Sequence, residues 1–419
     1  MVKTAGEASV FAAGLVFGTA SSILSKQLFT LTVAYDDGED KLFEKPLFQT
    51  ALMFVGMALA LPLHFFMESR KKDVSEDYLA LDEDQAGERF VLTFRTFMFL
   101  FIPAMFDLVA TALAYIGLVL IEVSIFQLMK CTVIVFVAVL KSTVLKHRVY
   151  SYQWFGVLLN MVAVTCAASS AFFQNNDDDD KPDGGGSTGF GLLMVVLSCL
   201  VQSAQYVFEE YVMGDGAGSM PIPPLIVVGI EGVWGLILSV VLVLPLASVI
   251  PGKDCSLSEG PDCVGVYENT ADSFDMMGKS SIITWLIVIY VFVITGYNVS
   301  AIYVTALLSA LWHSILDSFR PMAVFITSLG LYLMTNGSIG EEWVVSSWLQ
   351  VAGLVMLVFG TMVYNANIKL YSWFDYSDTS SFMMQASPFS SPFIRSNSMD
   401  ARRRVNETAE NRARVNSLN

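Results

Sequence analysis

The stretches SIFQLMKCTVIVFVAV at residues 124–139 and WHSILDSFRPMAVFIT at residues 312–327 decide the fold, because each places a base inside an apolar run. Lys130 in the first stands where Arg320 stands in the second. Gln127 precedes Lys130 by one helical turn, Asp317 precedes Arg320 in the same way, and an aliphatic run follows each base. An ionisable group at the centre of a membrane helix costs roughly 2.5 to 3.5 kcal/mol, so matched bases in two such runs need an explanation. The match extends outward. QWFGVLLNMVAV (153–164) aligns with SWLQVAGLVMLV (347–358), and AYIGLVL (114–120) echoes IYVTALL (302–308). These pairs define an internal repeat.

The chain has 419 residues, of which 54% are hydrophobic and only 15% charged, with a mean hydropathy of +0.57. That composition belongs in a bilayer, whose core of about 30 Å takes about 20 apolar residues in helical form. Ten spans are expected, at about 8–28, 47–67, 95–119, 123–144, 151–173, 189–212, 222–250, 281–305, 309–333 and 345–368. The first reads as a retained helix, since no small-residue cleavage site follows it. The expected fold is an all-α polytopic membrane protein with a first five-helix repeat (1–173), an acidic and Gly-rich loop (174–188), a second five-helix repeat (189–368) and a cytosolic tail (369–419). Five is odd, so the two repeats enter the membrane from opposite sides. Inverted repeats of this kind build alternating-access transporters with the substrate near the bilayer midplane.

Sixteen of the 24 basic residues fall on the side of the N-terminus, five on the other side, and three within spans. The positive-inside rule then puts both termini in the cytosol. The net charge of −15 sits mostly in loops, including Asp177 to Asp180, which reads as a solvated linker. Cys255 and Cys263 share the long non-cytosolic loop after the seventh span and are disulfide candidates if that compartment is oxidising. Asn336, in the sequon NGS, is a glycosylation candidate on the same side.

Lys130 and Arg320, brought together by pseudo-symmetry, suit an anionic group such as a phosphate. Asp317 and Arg320 share a helix face, with His313 one turn further back. Two readings stay open: a neutralised structural pair, or a stripe facing the substrate path. Pro321 withholds a backbone donor and lets that segment bend. Asp107 and Glu231 are further intramembrane acids, each a candidate for carrying a coupling proton or for bonding a neighbouring helix. Gly229, Gly232 and Gly235 around Glu231, and Gly14, Gly18 and Ser22 in the first span, read as close helix contacts. Glu209 and Glu210 close the sixth span and read as solvated.

No nucleophile elbow, phosphate loop, zinc-protease motif or Cys/His cluster occurs, so no enzyme, cofactor or metal site is expected. No feature suggests nucleic acid. The expected partners are a small-molecule solute and the lipid bilayer, with a homodimer through peripheral helices left open. The runs FEKPLFQTALMFVGM (43–57), SIFQLMKCTVIVFVAVLK (124–141), YVFEEYV (206–212), GIEGVWG (229–235) and ILDSFRPMAVF (315–325) together resemble the drug/metabolite transporter superfamily. Within it they are most similar to solute carrier family 35, subfamily F. The resemblance spans about residues 8–370. It implies two inverted five-helix halves around a central cavity, with the fifth and tenth helices peripheral, and bases of the fourth and ninth helices on the substrate's phosphate. By position these are Lys130 and Arg320. The Gly-Ala-Leu-Asn-Lys type motif of nucleotide-sugar carriers is absent from the ninth span, and Asp317 is an added acid there.

The main expectation is an integral multi-pass secondary transporter of an anionic metabolite, of nucleotide-sugar or phosphate-bearing type, in an endomembrane (lysosomal, vacuolar or Golgi). A proton-coupled exporter of cationic metabolites or drugs is the alternative within the same class. A scaffold acting through its Ser/Arg-rich tail is the alternative from another class.

Overall fold

The computed structural model describes residues 5–34, 40–78, 93–120, 126, 129–130, 132–145, 150–174, 185–214, 222–254, 265–335, 343, 345, 347–364, 368 and 370. Gln127, Cys255, Cys263, Asn336, the Asp177–Asp180 run and the tail beyond 370 lie outside them. Among the described residues the chain is almost wholly helical. Helix α1 spans Ala5–Thr30, and a short hairpin of β1 (Thr32–Ala34) and β2 (Asp40–Leu42) follows it, with Val33 opposite Lys41. Next come α2 (Pro46–Ala58) and α3 (Ala60–Tyr78), then α4 (Phe94–Phe99) and α5 (Phe101–Leu120). Helix α6 covers Val133–Thr143, α7 Ser151–Gln174 and α8 Gly185–Met213.

Helix α9 (Pro224–Leu238) runs through a π-helical turn, Ser239–Val243, into the short α10 (Leu244–Ala247). Pro245 explains the turn, because it has no N–H and its ring crowds the carbonyl four residues back. Strand β3 (Pro251–Asp254) makes antiparallel bridges to Val266. It is followed by α11 (Thr270–Lys279), α12 (Ser281–Leu307), α13 (Ala310–Met334) and α14 (Ser347–Tyr364). Pro321 does not end α13, which continues as one helix of 25 residues.

Among the described residues, seven helical segments are long and apolar enough to cross a bilayer: Gly6–Thr30, Pro46–Ser69, Phe94–Ala114, Gly189–Met213, Pro224–Ala247, Ser281–Leu307 and Ser347–Tyr364. The protein is therefore an all-α polytopic membrane protein. Helices α7 and α13 have the length to cross but fall outside that set, and α6 is apolar but short. Lowered hydropathy in α13 follows from the side chains of interest, His313, Asp317 and Arg320.

Helices from early in the chain pack on helices from late in it. The closest associations are α1 with α12, α2 with α9, α5 with α8 and α7 with α14, and α6 also meets α13. Small residues permit these approaches, because a lipid-solvated bundle gains most from close backbone contact. A Cβ added at Gly229 would meet Leu61, and one at Gly156 would sit 2.8 Å from the Tyr364 Cα. Gly14 faces Leu316 and Gly18 faces Tyr297, as the small-residue spacing of the first span implies. Ser22 instead donates to the Gly18 carbonyl of its own helix, 3.0 Å away.

Candidate functional site

Asp317 lies on α13, on the face turned toward α8 and α12. Its carboxylate accepts a hydrogen bond from the Tyr206 hydroxyl on α8 and another from the Tyr297 hydroxyl on α12, 2.5 Å away. Arg320 is more distant, its Nη1 standing 4.0 Å from Asp317 Oδ1. Its guanidinium lies over the Tyr297 ring instead, 5.1 Å from the centroid, a cation–π contact. Gly18 of α1 supplies the room, since a Cβ there would strike both the Tyr297 ring and the Arg320 Cδ. The charge of Asp317 is thus met chiefly by two phenols. Among the described residues Asp317 is the one acid paired with Arg320, whose side chain is 35% exposed.

Lys130 reaches the same network from the other end. Its Nζ donates to Ser198 Oγ at 3.1 Å and to Gln202 Oε1 at 3.2 Å, both on α8. Gln202 Nε2 in turn donates to the Tyr206 hydroxyl at 3.1 Å. A continuous polar chain therefore runs from Lys130 through Gln202, Tyr206, Asp317 and Tyr297 to Arg320. It joins the segment before α6 to α8, α12 and α13. Both bases take their close contacts mainly from neutral groups, with Asp317 4.0 Å from Arg320 and Asp107 within electrostatic range of Lys130.

His313 is buried, with its ring stacked on Tyr206 at 4.0 Å between centroids and its Nδ1 sharing a 2.8 Å hydrogen bond with Thr305 Oγ1. It supports the Tyr206 ring from behind. Asp107 on α5 accepts a hydrogen bond from Thr111 and is within electrostatic range of Lys130. Glu231 on α9 accepts from Gln205 Nε2 at 2.6 Å.

Glu209 and Glu210 correct the sequence reading, because neither is a solvated end residue. Glu209 is 3% exposed, and its Oε2 has no hydrogen-bond partner among the described residues. Glu210 pairs with Lys141 at 2.7 Å and accepts from the Ala310 N–H at 2.9 Å, capping α13. Packing of α6 and α13 against α8 leaves Glu209 buried and Glu210 only partly exposed. Sequence reasoning also missed Ser198, Gln202, Tyr206 and Tyr297. Their spacing on α8 offered one signal: Ser198, Gln202, Gln205 and Glu209 recur every three or four residues, a polar stripe on an apolar helix.

Comparison with known proteins agrees with this architecture. The nucleotide-sugar transporter family model matches residues 18–243. Solute carrier family 35 member F6 of Rattus norvegicus is 26% identical over 365 residues, covering 85% of this chain and 88% of that protein. The Homo sapiens protein of the same name is 26% identical over 359 residues with the same coverage. An uncharacterized protein of Schizosaccharomyces pombe is 23% identical over 355 residues, covering 85% of this chain and 96% of its own length. The chain belongs to the nucleotide-sugar transporter family and is a multi-pass membrane solute transporter, not an enzyme.

Proposed function

We propose that the protein moves a small organic anion, of nucleotide-sugar or other phosphate-bearing type, by alternating access between two inverted five-helix repeats. The polar chain from Lys130 to Arg320 carries this reading. Two bases from the matched stretches of the repeats meet on one network, and among the described residues the one carboxylate ion-paired with either is Asp317, 4.0 Å from Arg320 and hydrogen-bonded to two tyrosines. Arg320 offers a planar fork to a phosphate and Lys130 a point charge. Asp317, held by the hydroxyls of Tyr206 and Tyr297, fixes the rings that frame the guanidinium.

The helix associations support the repeat. Numbering the ten spans in order, the pairs are first with eighth, third with sixth, second with seventh, fourth with ninth and fifth with tenth. Exchanging each span for the one five places away returns the same set of pairs, as a two-fold relation between halves requires. The distribution of Lys and Arg supports cytosolic termini. The test is uptake into proteoliposomes: neutralising Lys130 or Arg320 is expected to abolish anion uptake while the protein still inserts. Transport unchanged in both variants would sink the assignment.

A second reading has its own observation. Gln205 bonds Glu231 and lies against Glu209, and among the described residues no base forms an ion pair with either acid. Two carboxylates in oil without a cation are costly unless a proton is held between them, which suits proton-coupled export of a cationic solute. Flux that ignores an imposed pH gradient would count against it.

A further inference from the structure

Among the described residues, two sets of ion pairs outside the central site join distant parts of the chain, one at each end of the helices. At the face carrying the β1–β2 hairpin, Lys41 bridges Asp254 at 2.8 Å and Asp272 at 2.7 Å. Lys45 bridges Asp272 at 2.8 Å and also pairs with Asp254. The Lys45 and Asp272 side chains are each 1% exposed. The Asn269 N–H adds a 2.7 Å hydrogen bond to Asp254. Beside them, Glu268 accepts from the Leu47 and Phe48 amides at 2.8 and 2.6 Å, so an acid from one loop caps the helix α2 that follows the other. At the opposite face, Lys141 at the end of α6 pairs with Glu210 of α8, and Glu210 also holds the first N–H of α13.

The two sets share a pattern. At both faces the lysines come from the part of the chain before residue 174 and the acids from the part after residue 185. Ion pairs with little exposure are geometrically exacting, and removing one partner strands a buried charge. Such contacts make two-state clamps: closed when the halves meet, hydrated when they part.

We propose that Lys41 and Lys45 with Asp254, Asp272 and Glu268 form one gate of the transport path, and that Lys141 with Glu210 forms the other. The proposal rests on the alternating-access reading above. The gate at the hairpin face, with four ion pairs and a helix cap, holds harder than the single pair opposite it. Both are closed in this structure, and they are coupled because both join the same halves: when one pair of surfaces parts, the other must stay shut.

The test uses lysine footprinting of the full chain in nanodiscs, where both faces meet solvent. Acetylation by a water-soluble N-hydroxysuccinimide ester is read at Lys45 and Lys141 by mass spectrometry, with the exposed Lys279 as internal reference. Asp254→Asn leaves the Lys45–Asp272 pair in place. It is expected to raise Lys45 labelling severalfold and to lower labelling of Lys141. Glu210→Gln is expected to do the reverse, raising Lys141 and lowering Lys45. If each variant changes only its own neighbouring lysine, or neither lysine responds, the contacts are local clamps and the gate proposal is overturned. Should one variant label at every lysine as an unfolded chain does, the other decides the question by the same criterion. No solute enters the measurement, so its outcome is separate from whether the anion assignment holds.

Discussion

Asp317 is the residue on which the site's chemistry turns. An acid three residues before Arg320 reads, on a helix, as that base's partner. The structure instead gives its oxygens to Tyr206 and Tyr297 and leaves Arg320 at 4.0 Å. Asp317→Asn should therefore tighten binding of a phosphate-bearing solute by about tenfold, on the order of 1.4 kcal/mol, because a competing negative charge is removed. Calorimetric titration checks this, and weaker or equal binding would contradict it. Tyr297→Phe keeps the ring under Arg320 but withdraws one donor from Asp317. It should cost roughly 1.5 to 3 kcal/mol of stability, the usual worth of a hydrogen bond to a charged group, measured as a lowered unfolding midpoint. Lys130 and Arg320 were legible in the sequence because a base in oil is rare and costly. Tyr206 and Tyr297 were not, since a tyrosine in an apolar run looks like packing until the fold shows which atom its hydroxyl meets.

Among elements, the glycines record how closely helices approach. Gly156 of α7 lies against the backbone of Tyr364 in α14, so Gly156→Ala forces two helices apart. Overpacking of this kind costs about 1 to 3 kcal/mol. Gly330 of α13 has open space around it, and Gly330→Ala should leave the midpoint unchanged or slightly raised by its better helix propensity. Thermal unfolding of the two variants side by side separates the cases, and equal midpoints would contradict the packing account. The spacing of Gly229, Gly232 and Gly235 announced a close contact without naming the partner. That partner, the α2–α3 segment, comes from far earlier in the chain, and local periodicity carries no information about such a distance. Glu209 and Glu210 were misread for the same reason: a helix end is solvated only if no other helix covers it.

For the whole molecule, the hairpin-face gate sets a pH dependence whose sign follows from its groups. Burial works against Lys41, but its hydrogen bonds to Asp254 and Asp272 hold its pKa above the ordinary 10.5. Burial also works against Asp254, but Asn269, Lys41 and Lys45 hold it below the ordinary 3.8. Asp254 therefore favours closure above its ordinary value and loses that contribution only as pH falls through the depressed one. Lys41 favours closure until pH rises past 10.5. Burial pushes Glu268 above the ordinary 4.5 despite its two amide donors, so proton uptake there favours the closed form as pH falls. Acidification to about pH 5 should leave the gate shut. Hydrogen exchange of the 43–48 segment, corrected for intrinsic rates, should show undiminished protection, and protection lost by that pH would contradict the assignment. Whether Lys130 and Arg320 bind one anion together is measured by thermal unfolding of the purified protein with phosphate-bearing solutes, against cationic amines, because a ligand of the folded state raises the midpoint. A phosphate-bearing solute should stabilise the wild type but neither Lys130→Gln nor Arg320→Gln, with midpoints of the free proteins close together. Stabilisation that survives both substitutions, or that only cationic amines produce, would contradict it.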